Sequence, residues 1–496
     1  MAAAVKQLVL WYSPPTVNNW FGVPADLAPS AANPAKFDGH SMDTVNAPST
    51  MIGRAAALLA SETARYEAAN PRSAALAART RQHWLNGVPM HWMADWATPF
   101  PLFVAAARGI TLTDADGHRY LDFCLGDTGA MFGHAPEPVA RVIGEAATRG
   151  LTTMLPTEDA AIVGEQLAGH FGLPHWQVTA TASDANRSVI RWARGVTGRT
   201  QIVVINGCYH GAVDDVFVSL ENGRARNRPG LVGEVRDVTA TTRVVEFNDL
   251  EGMKRALAPG DVALVLLEPV MTNCGMVLPD DGYHAALREM TRKTGTLLCI
   301  DETHTISSGP RGYTGEHGLE PDFFVLGKPI SGGLPAAVYG WSDTVQAGID
   351  RIYGSREPGY SGIGTTLSGN PLQLAAMRVV LDEFLTDATY ARAMPLAERL
   401  EAGIAAAIGR LGLPWHVVRV GLRVEFVCSP ERPRNGTEAG LVAHNELEHA
   451  LHLFALNRGV LITPFHNMML VCPATTEADI DRAVAVLDDG MAALAG

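Results

Sequence analysis

Three charged residues in the middle of the chain each stand directly after a run of apolar residues. They are Glu268 after residues 262–267, Asp301 after residues 297–300, and Lys328 after residues 323–327. Runs that are apolar at every position are typical of strands buried on both faces of a parallel sheet. Because ligands bind at the carboxyl ends of such strands, we expect the three side chains to converge on one crevice.

A buried lysine beside a buried aspartate has two possible roles. The pair Lys328 and Asp301 could be a structural ion pair, or it could be a Schiff-base lysine with a carboxylate partner for a pyridinium nitrogen. The lysine amine must lose its proton to attack an aldehyde, and burial lowers its pKa. An ionised aspartate keeps a pyridine ring protonated, which makes the ring an electron sink. Residue types alone leave both roles open.

Several common chemistries are excluded by the motifs. The chain has no GxGxxG after a strand, no GxxxxGK[ST] and no GxSxG, which argues against dinucleotide, phosphate-loop and nucleophile-elbow sites. The histidines and acids of residues 444–452 do not have the HExxH spacing, so a solvated helix face is expected there and no metal is predicted.

Composition limits the possible partners. The chain has 496 residues, of which 39 are Lys or Arg and 52 are Asp or Glu, so its net charge is −13. This acidity, without a long basic run, argues against nucleic-acid and anionic-membrane partners. Apolar runs stay below the ~18 residues of a membrane helix. Six scattered cysteines without a CxxC predict reduced thiols in a cytoplasmic protein.

Strands and helices alternate around the three charged residues. Strands are predicted at Gln201–Ile205, Val262–Leu267, Thr296–Ile300 and Phe323–Leu326, with helices at Ala185–Arg194 and Tyr283–Arg292 between them. This alternation predicts a doubly wound α/β sheet. Residues 50–84 have a helical pattern, residues 109–123 predict a hairpin around Asp116-Gly117, and a helix over Leu372–Leu385 leads into a C-terminal α+β segment.

Six motifs in this order resemble the class III aminotransferases, pyridoxal-phosphate enzymes of fold type I that include glutamate-1-semialdehyde aminomutase and the ω-transaminases. The resemblance runs from about residue 90 to 490. The motifs are residues 101–134, Thr181-Ala-Ser-Asp-Ala-Asn186, Gly207-Cys-Tyr-His-Gly211, Asp301, Lys328 with Gly332-Gly-Leu-Pro335, and Thr366-Leu-Ser-Gly-Asn-Pro371.

The resemblance implies a fold, a cofactor and a domain division. The fold would be α/β of fold type I, with a large domain built on a mostly parallel sheet and a smaller α+β domain formed by the N- and C-terminal segments. The predicted divisions are 1–80 (arm and helices), 81–135 (N-terminal part of the small domain), 136–365 (pyridoxal 5'-phosphate domain) and 366–496 (C-terminal part of the small domain).

Cofactor roles carry over position by position. Lys328 would hold the cofactor as a Schiff base and move the proton, and Asp301 would pair with the ring nitrogen, supported by Glu268. Ala182 and Ser183 would bind the phosphate at a helix N-terminus, and Tyr209 would stack on the ring. The family's threonine reaches the phosphate from the partner subunit, so Thr366 implies a homodimer with shared sites.

The departures from the family bear on the substrate. The usual Asp-Glu-Val after the strand is Asp-Glu-Thr-His-Thr here, which places His304 near the cofactor edge; His304 could bind substrate or hydrogen-bond Asp301, and we favour the second. Met468 stands where aminomutases have a glutamate that meets the substrate amine, so it either favours an apolar substituent or is a core methionine. Trp96 could line the same pocket or the dimer interface. Arg356, Arg419 and Arg423 are candidates for binding a carboxylate.

These observations predict an aminotransferase that moves an amino group between an amine or amino acid, possibly apolar and bulky, and a keto acid such as pyruvate. The alternative is a glutamate-1-semialdehyde 2,1-aminomutase, against which Met468 argues. A third hypothesis, a pyridoxal-phosphate-binding protein without turnover, is disfavoured by the intact set of Asp301, Lys328 and Tyr209.

Overall fold

The computed structural model describes residues 46–234 and 236–496. The first 45 residues of the predicted N-terminal arm lie outside the described residues. The helices are α1 Asn46–Ala69, α2 Pro71–Thr80, α3 Glu137–Ala147, α4 Asp159–Phe171, α5 Ala182–Thr197, α6 Leu250–Leu257, α7 Tyr283–Thr294, α8 Gly312–Glu316, α9 Asp343–Ser355, α10 Pro371–Val379, α11 Asp387–Leu411, α12 Gly436–Leu441, α13 Asn445–Leu456 and α14 Glu477–Ala495.

Four sheets are formed by the strands of the described residues. The strands are β1 Val104–Arg108, β2 Thr111–Asp114, β3 Arg119–Asp122, β4 His175–Thr179, β5 Gln201–Ile205, β6 Val218–Glu221, β7 Arg224–Asn227, β8 Thr242–Val245, β9 Val262–Leu267, β10 Leu297–Asp301, β11 Phe323–Leu326, β12 Ala337–Trp341, β13 His416–Val420, β14 Arg423–Val427, β15 Val460–Leu461 and β16 Met468–Leu470.

The largest sheet has the order β4-β12-β11-β10-β9-β5-β8. Only β12 runs against the other strands, so the sheet is mostly parallel, as the sequence predicts. Every residue of β9, β10, β11 and β12 is buried. Each fully buried valine or leucine contributes roughly 1.5–3 kcal/mol. This burial holds the strand ends, and therefore the three charged residues, in fixed positions.

Predicted strands and helices agree closely with the observed ones. The strand predicted at Thr296–Ile300 lies one residue later, because the ladder to β11 continues to the pair Asp301 and Val325. The helical stretch predicted over residues 50–84 is interrupted at Asn70, since Pro71 cannot continue a helix and instead starts α2. The helix predicted over 372–385 begins at Pro371 after an Asn370 cap and ends in a π-helical turn, Val380–Phe384.

One small sheet combines strands from the N-terminal and C-terminal parts of the described chain. Strands β1, β2 and β3 form the predicted hairpin and its neighbour, and β15 pairs with β3 through Val460 and Leu121. Helix α1 packs against α13 and α14. This arrangement agrees with a smaller domain built from N- and C-terminal segments, and the exact boundaries stay predictions. Within the described residues, no helix is both long and apolar enough to cross a bilayer.

Candidate active site

A cavity of about 320 Å³ opens at the carboxyl edge of the large sheet. Its wall contains seven of the residues singled out from the sequence: Ala182, Ser183, Tyr209, Glu268, Asp301, His304 and Lys328. They come from the start of α5, the segment after β5 and the ends of β9, β10 and β11. The convergence expected from the strand ends is therefore present, and the individual roles of these residues stay predictions.

Asp301 is a buried acid of the cavity wall and is held by three donors. Its Oδ2 lies 3.0 Å from His210 Nδ1 and accepts a hydrogen bond from Asn186 Nδ2 at 2.8 Å, and its Oδ1 accepts from the Thr303 amide at 3.1 Å. The residue is only 3% exposed. Such a network orients one carboxylate towards the cavity and leaves it little freedom to turn.

Charge on Asp301 is favoured by its surroundings. Burial opposes ionisation, but the hydrogen bond and the positive charge of His210 lower the pKa of Asp301 below its ordinary value. Burial likewise disfavours the imidazolium of His210, but Cys208 and the Asp301 carboxylate raise the pKa of His210 well above its ordinary value. The pair is therefore ionised at neutral pH. A fixed buried carboxylate is the partner that a protonated pyridine nitrogen needs.

His304 does not take the position that we favoured from the sequence. Instead of bonding Asp301, His304 places its Nε2 2.8 Å from Lys328 Nζ and its Nδ1 3.1 Å from Thr128 Oγ1. The Asp301 partner is His210, which the Gly207–Gly211 motif contained but which we did not single out. The reason is the short helical turn at residues 305–308, which follows β10 and carries His304 to the lysine side of the cavity.

Lys328 lies in a left-handed backbone conformation with φ of 46°. Its Nζ donates to Asp127 Oδ2 at 2.7 Å and lies 2.8 Å from His304 Nε2. The lysine side chain is 28% exposed, so it is reachable from the cavity. A strained backbone at a reactive side chain is typical of functional sites.

The start of α5 forms a cradle for an anion. Ala180, Thr181, Ala182 and Ser183 line the cavity at the helix N-terminus, where backbone N–H groups and the helix dipole favour negative charge. Ser183 Oγ accepts from the Ala212 amide at 3.0 Å, which leaves its proton free to donate. A Cβ on Gly211 would lie 2.1 Å from Ser183 Oγ, so only glycine allows this close approach.

Tyr209 and Glu268 lie together on the cavity wall. The Tyr209 amide donates to Glu268 Oε1 at 3.4 Å, and Glu268 Oε2 accepts from the amide of Thr272 at 3.2 Å and from its hydroxyl. Burial raises the pKa of Glu268, which His210 partly offsets. The described contacts of Glu268 therefore do not support Asp301 by a direct hydrogen bond; instead Glu268 fixes the backbone at Tyr209.

Two residues proposed to contact substrate lie elsewhere. Met468 is fully buried and pairs with Glu425 in the sheet of β13, β14 and β16, so it is the core methionine of our two alternatives. Trp96 packs against a separate apolar cluster that includes Tyr66 and Leu453, and it does not belong to the cavity wall. Met468 therefore does not exclude an aminomutase.

The three arginines considered for binding a carboxylate have different surroundings. Arg419 is bound to Glu401 at 2.6 Å, and Arg356 stacks on Tyr353 at 4.7 Å. Only Arg423 comes near the lysine, with its Nη2 3.0 Å from His304 Nδ1. However, Arg423 is 0% exposed, so its guanidinium supports His304 from behind and does not reach the cavity.

The Thr366 side chain is exposed, and Thr366 is not among the described residues that line the cavity of its own subunit. Its neighbours Tyr360 and Leu367 are exposed apolar side chains, at 81% and 57%. An exposed loop with apolar side chains is compatible with a partner subunit on this face, as the prediction of shared sites requires.

The residues present fit pyridoxal phosphate. A reachable lysine, a buried ionised aspartate, an anion cradle at a helix N-terminus and an aromatic side chain surround one cavity. These four features match an aldehyde, a ring nitrogen, a phosphate and a ring face. Among the described residues, no group of three or more potential ligands is arranged to hold a metal ion.

Comparisons with known proteins agree with this chemistry. The model of the family "Aminotransferase class-III" matches residues 92–490. A glutamate-1-semialdehyde 2,1-aminomutase of Sorangium cellulosum is 35% identical over 400 residues, covering 79% of this chain and 90% of that protein.

Solved structures extend the likeness. A glutamate-1-semialdehyde aminomutase of Pseudomonas aeruginosa PAO1 is 50% identical with a TM-score of 0.87, covering 89% of this chain and 99% of that one. An ω-transaminase of Sphaerobacter thermophilus is 26% identical with a TM-score of 0.79, covering 86% and 98%.

Proposed function

The chain belongs to the class III aminotransferases and is therefore a pyridoxal-phosphate-dependent enzyme of fold type I, and from this premise we propose that it moves an amino group between neighbouring carbons of one molecule, as a glutamate-1-semialdehyde 2,1-aminomutase does. The observation that carries the proposal is the likeness to aminomutases along almost their whole length, joined to a cavity that contains Lys328 and Asp301.

Different residues of this chain hold different parts of the cofactor. Pyridoxal phosphate supplies an aldehyde carbon and an electron sink when it is bound. Lys328 holds the cofactor through Nζ and carries the proton to and from the reacting carbon. Asp301, charged through His210, keeps the ring nitrogen protonated. Ser183 and the amides at the start of α5 bind the phosphate, and Tyr209 covers one ring face.

The runner-up is the transaminase that the sequence favoured, which would use a separate keto acid. It keeps support from the likeness to the ω-transaminase, and it shares every cofactor residue with the aminomutase. Its main argument was Met468, which lies in the core and cannot select a substrate.

We expect the purified, cofactor-loaded protein to convert glutamate 1-semialdehyde into the isomer with nitrogen on the neighbouring carbon. No keto acid and no external amine donor should be needed, because an isomerisation transfers no nitrogen to or from a second substrate. The measurement is product formation by mass spectrometry with and without added pyruvate. Turnover only with a keto acid, with a new amino acid appearing, would establish the transaminase instead.

We further propose a homodimer in which Thr366 completes the phosphate site of the partner subunit. Its exposed position and the exposed Tyr360 and Leu367 support this. Mixed and re-associated Lys328→Ala and Thr366→Ala proteins should regain activity, because each hybrid has one site with both residues intact. With random pairing the mixture should reach about a quarter of the wild-type activity.

The control for this experiment is each variant re-associated with itself. Neither should gain activity, since no hybrid can form. If the mixture stays as inactive as the separate variants although hybrids are seen by native mass spectrometry, Thr366 acts on its own subunit or has no role at the site.

A further inference from the structure

A run of four left-handed residues stands next to Lys328. Leu125, Gly126, Asp127 and Thr128 have φ angles of 46°, 60°, 48° and 84°. A left-handed backbone is strained for every residue other than glycine, so the surrounding structure must hold the segment in place. Asp122 Oδ1 does so in part, because it accepts from the amides of Cys124 at 2.9 Å and Leu125 at 3.0 Å.

This backbone conformation directs the Asp127 carboxylate at the Lys328 amine. Asp127 Oδ2 is 2.7 Å from Lys328 Nζ, and His304 Nε2 is 2.8 Å from the same atom. The Asp127 side chain keeps 29% exposure, whereas Arg423 behind it keeps 1%. A carboxylate and an imidazole nitrogen thus surround the place of a primary amine, and the carboxylate is reachable.

The charges of the two groups suit a primary amine that both donates and accepts. Burial opposes the charge of Asp127, but Lys328, His304 and Arg423 lower the pKa of Asp127 well below its ordinary value. Burial, Lys328 and Arg423 lower the pKa of His304 well below its ordinary value, so the imidazole is neutral. Arg423 Nη2 can only donate and lies 3.0 Å from His304 Nδ1, so Nδ1 accepts and the ring proton is on Nε2.

Both groups lose their partner when a cofactor holds Lys328 Nζ. An ionised carboxylate and an imidazole N–H without partners are costly in a partly buried place. An enzyme that moves nitrogen between neighbouring carbons has to bind molecules with an amino group on the carbon beside the one joined to the cofactor. Such a group is a primary amine, as Lys328 Nζ is.

We propose that Asp127 and His304 form a binding site for the second, free amino group of a substrate or intermediate that carries nitrogen on neighbouring carbons. This inference rests on the proposed function and names the residues that select for it. Asp127 accepts an N–H of this amino group, and the Nε2–H of His304 donates to its nitrogen. Arg423 is a positioning residue, because it donates to Thr128 and contacts the reactive amine only through His304.

The groups that face Asp127 define what a variant changes. They are Lys328, His304, Arg423, Tyr209, Cys124 and His466. Replacing Asp127 with asparagine keeps the size and removes the charge, and asparagine tolerates a left-handed backbone. Asp127→Gly is the second variant, since glycine takes this conformation without strain.

The test measures equilibrium binding in cofactor-loaded Lys328→Ala protein, which cannot complete turnover. The probes are 1,2-diaminopropane and n-propylamine, and the spectral change of the cofactor gives each dissociation constant. We expect the diamine to bind at least tenfold more tightly than the monoamine. Adding Asp127→Asn or Asp127→Gly should reduce this ratio to near one.

The matched control is Asp481→Asn, which breaks another ion pair of 2.7 Å, with Arg399 on the surface, and should leave the ratio unchanged. A ratio near one already in Lys328→Ala, or a tenfold ratio that survives both Asp127 variants, would overturn the inference. Failure of the proposed function is a different result, namely no isomerisation of glutamate 1-semialdehyde by the wild-type protein.

Discussion

Replacing Lys328 with alanine is expected to lower kcat at least about 10³-fold, because the variant loses both the covalent attachment of the cofactor and the group that moves the proton. The side chain is the only lysine of the described cavity wall, and its Nζ is the atom that Asp127 and His304 surround. Steady-state turnover at saturating cofactor measures this effect.

The fold should survive the Lys328→Ala change. The side chain is 28% exposed, and the Asp127 charge that it leaves remains near Arg423, whose Nη1 is 4.0 Å from Asp127 Oδ1. Lys254→Ala is the matched control, since this lysine is 68% exposed and forms only a 3.8 Å pair with Glu251. If Lys328→Ala keeps more than a tenth of the wild-type kcat while Lys254→Ala is unchanged, the assigned role of Lys328 is wrong.

The Asp301→Asn substitution should lower kcat about 10²- to 10³-fold, with a loss of stability limited to one buried hydrogen bond. Asparagine fills the same space, but its single oxygen can accept from Asn186 or from Thr303 and not from both, and it carries no charge to keep a ring nitrogen protonated. Without the carboxylate, the pKa of His210 should also fall, because burial then acts against its positive charge with less compensation.

Asp343→Asn provides the control for the Asp301 variant. Asp343 also contacts a histidine, His175, at 2.9 Å, but its side chain is 87% exposed. Loss of a surface partner should leave kcat and cofactor affinity unchanged, since exposed pairs contribute little. Equal activity of Asp301→Asn and wild type at saturating cofactor would show that no buried charge is needed at this position.

The strand ends were predictable from the sequence because buried strands leave continuous apolar runs. Glu268, Asp301 and Lys328 stand directly after such runs, and the large sheet brings them to one edge. The anion cradle was predicted from the resemblance of residues 181–186 to the phosphate loop of the family, and in the structure Thr181 caps α5 there. The strand ends thus follow from local apolar patterns, whereas the cradle followed from the resemblance.

The partners of the charged groups were not predictable in the same way. Asn186 and His210 meet at Asp301 only because α5 and the segment after β5 pack side by side. The contact of Asp127 with Lys328 depends on a left-handed backbone over residues 125–128, which only Gly126 suggests in the sequence. The sequence left Met468 open between a core and a pocket position, because one residue of register decides whether a strand residue faces a core or a cavity.

The most direct test of the account is to locate the cofactor on the chain. The protein is incubated with pyridoxal phosphate, the lysine–cofactor linkage is reduced with borohydride, and the digested peptides are analysed by mass spectrometry. The account predicts one modified lysine, Lys328, in stoichiometric yield, and no modification of that peptide in Lys328→Ala. Stoichiometric modification of a different lysine, or none in an active preparation, would contradict it.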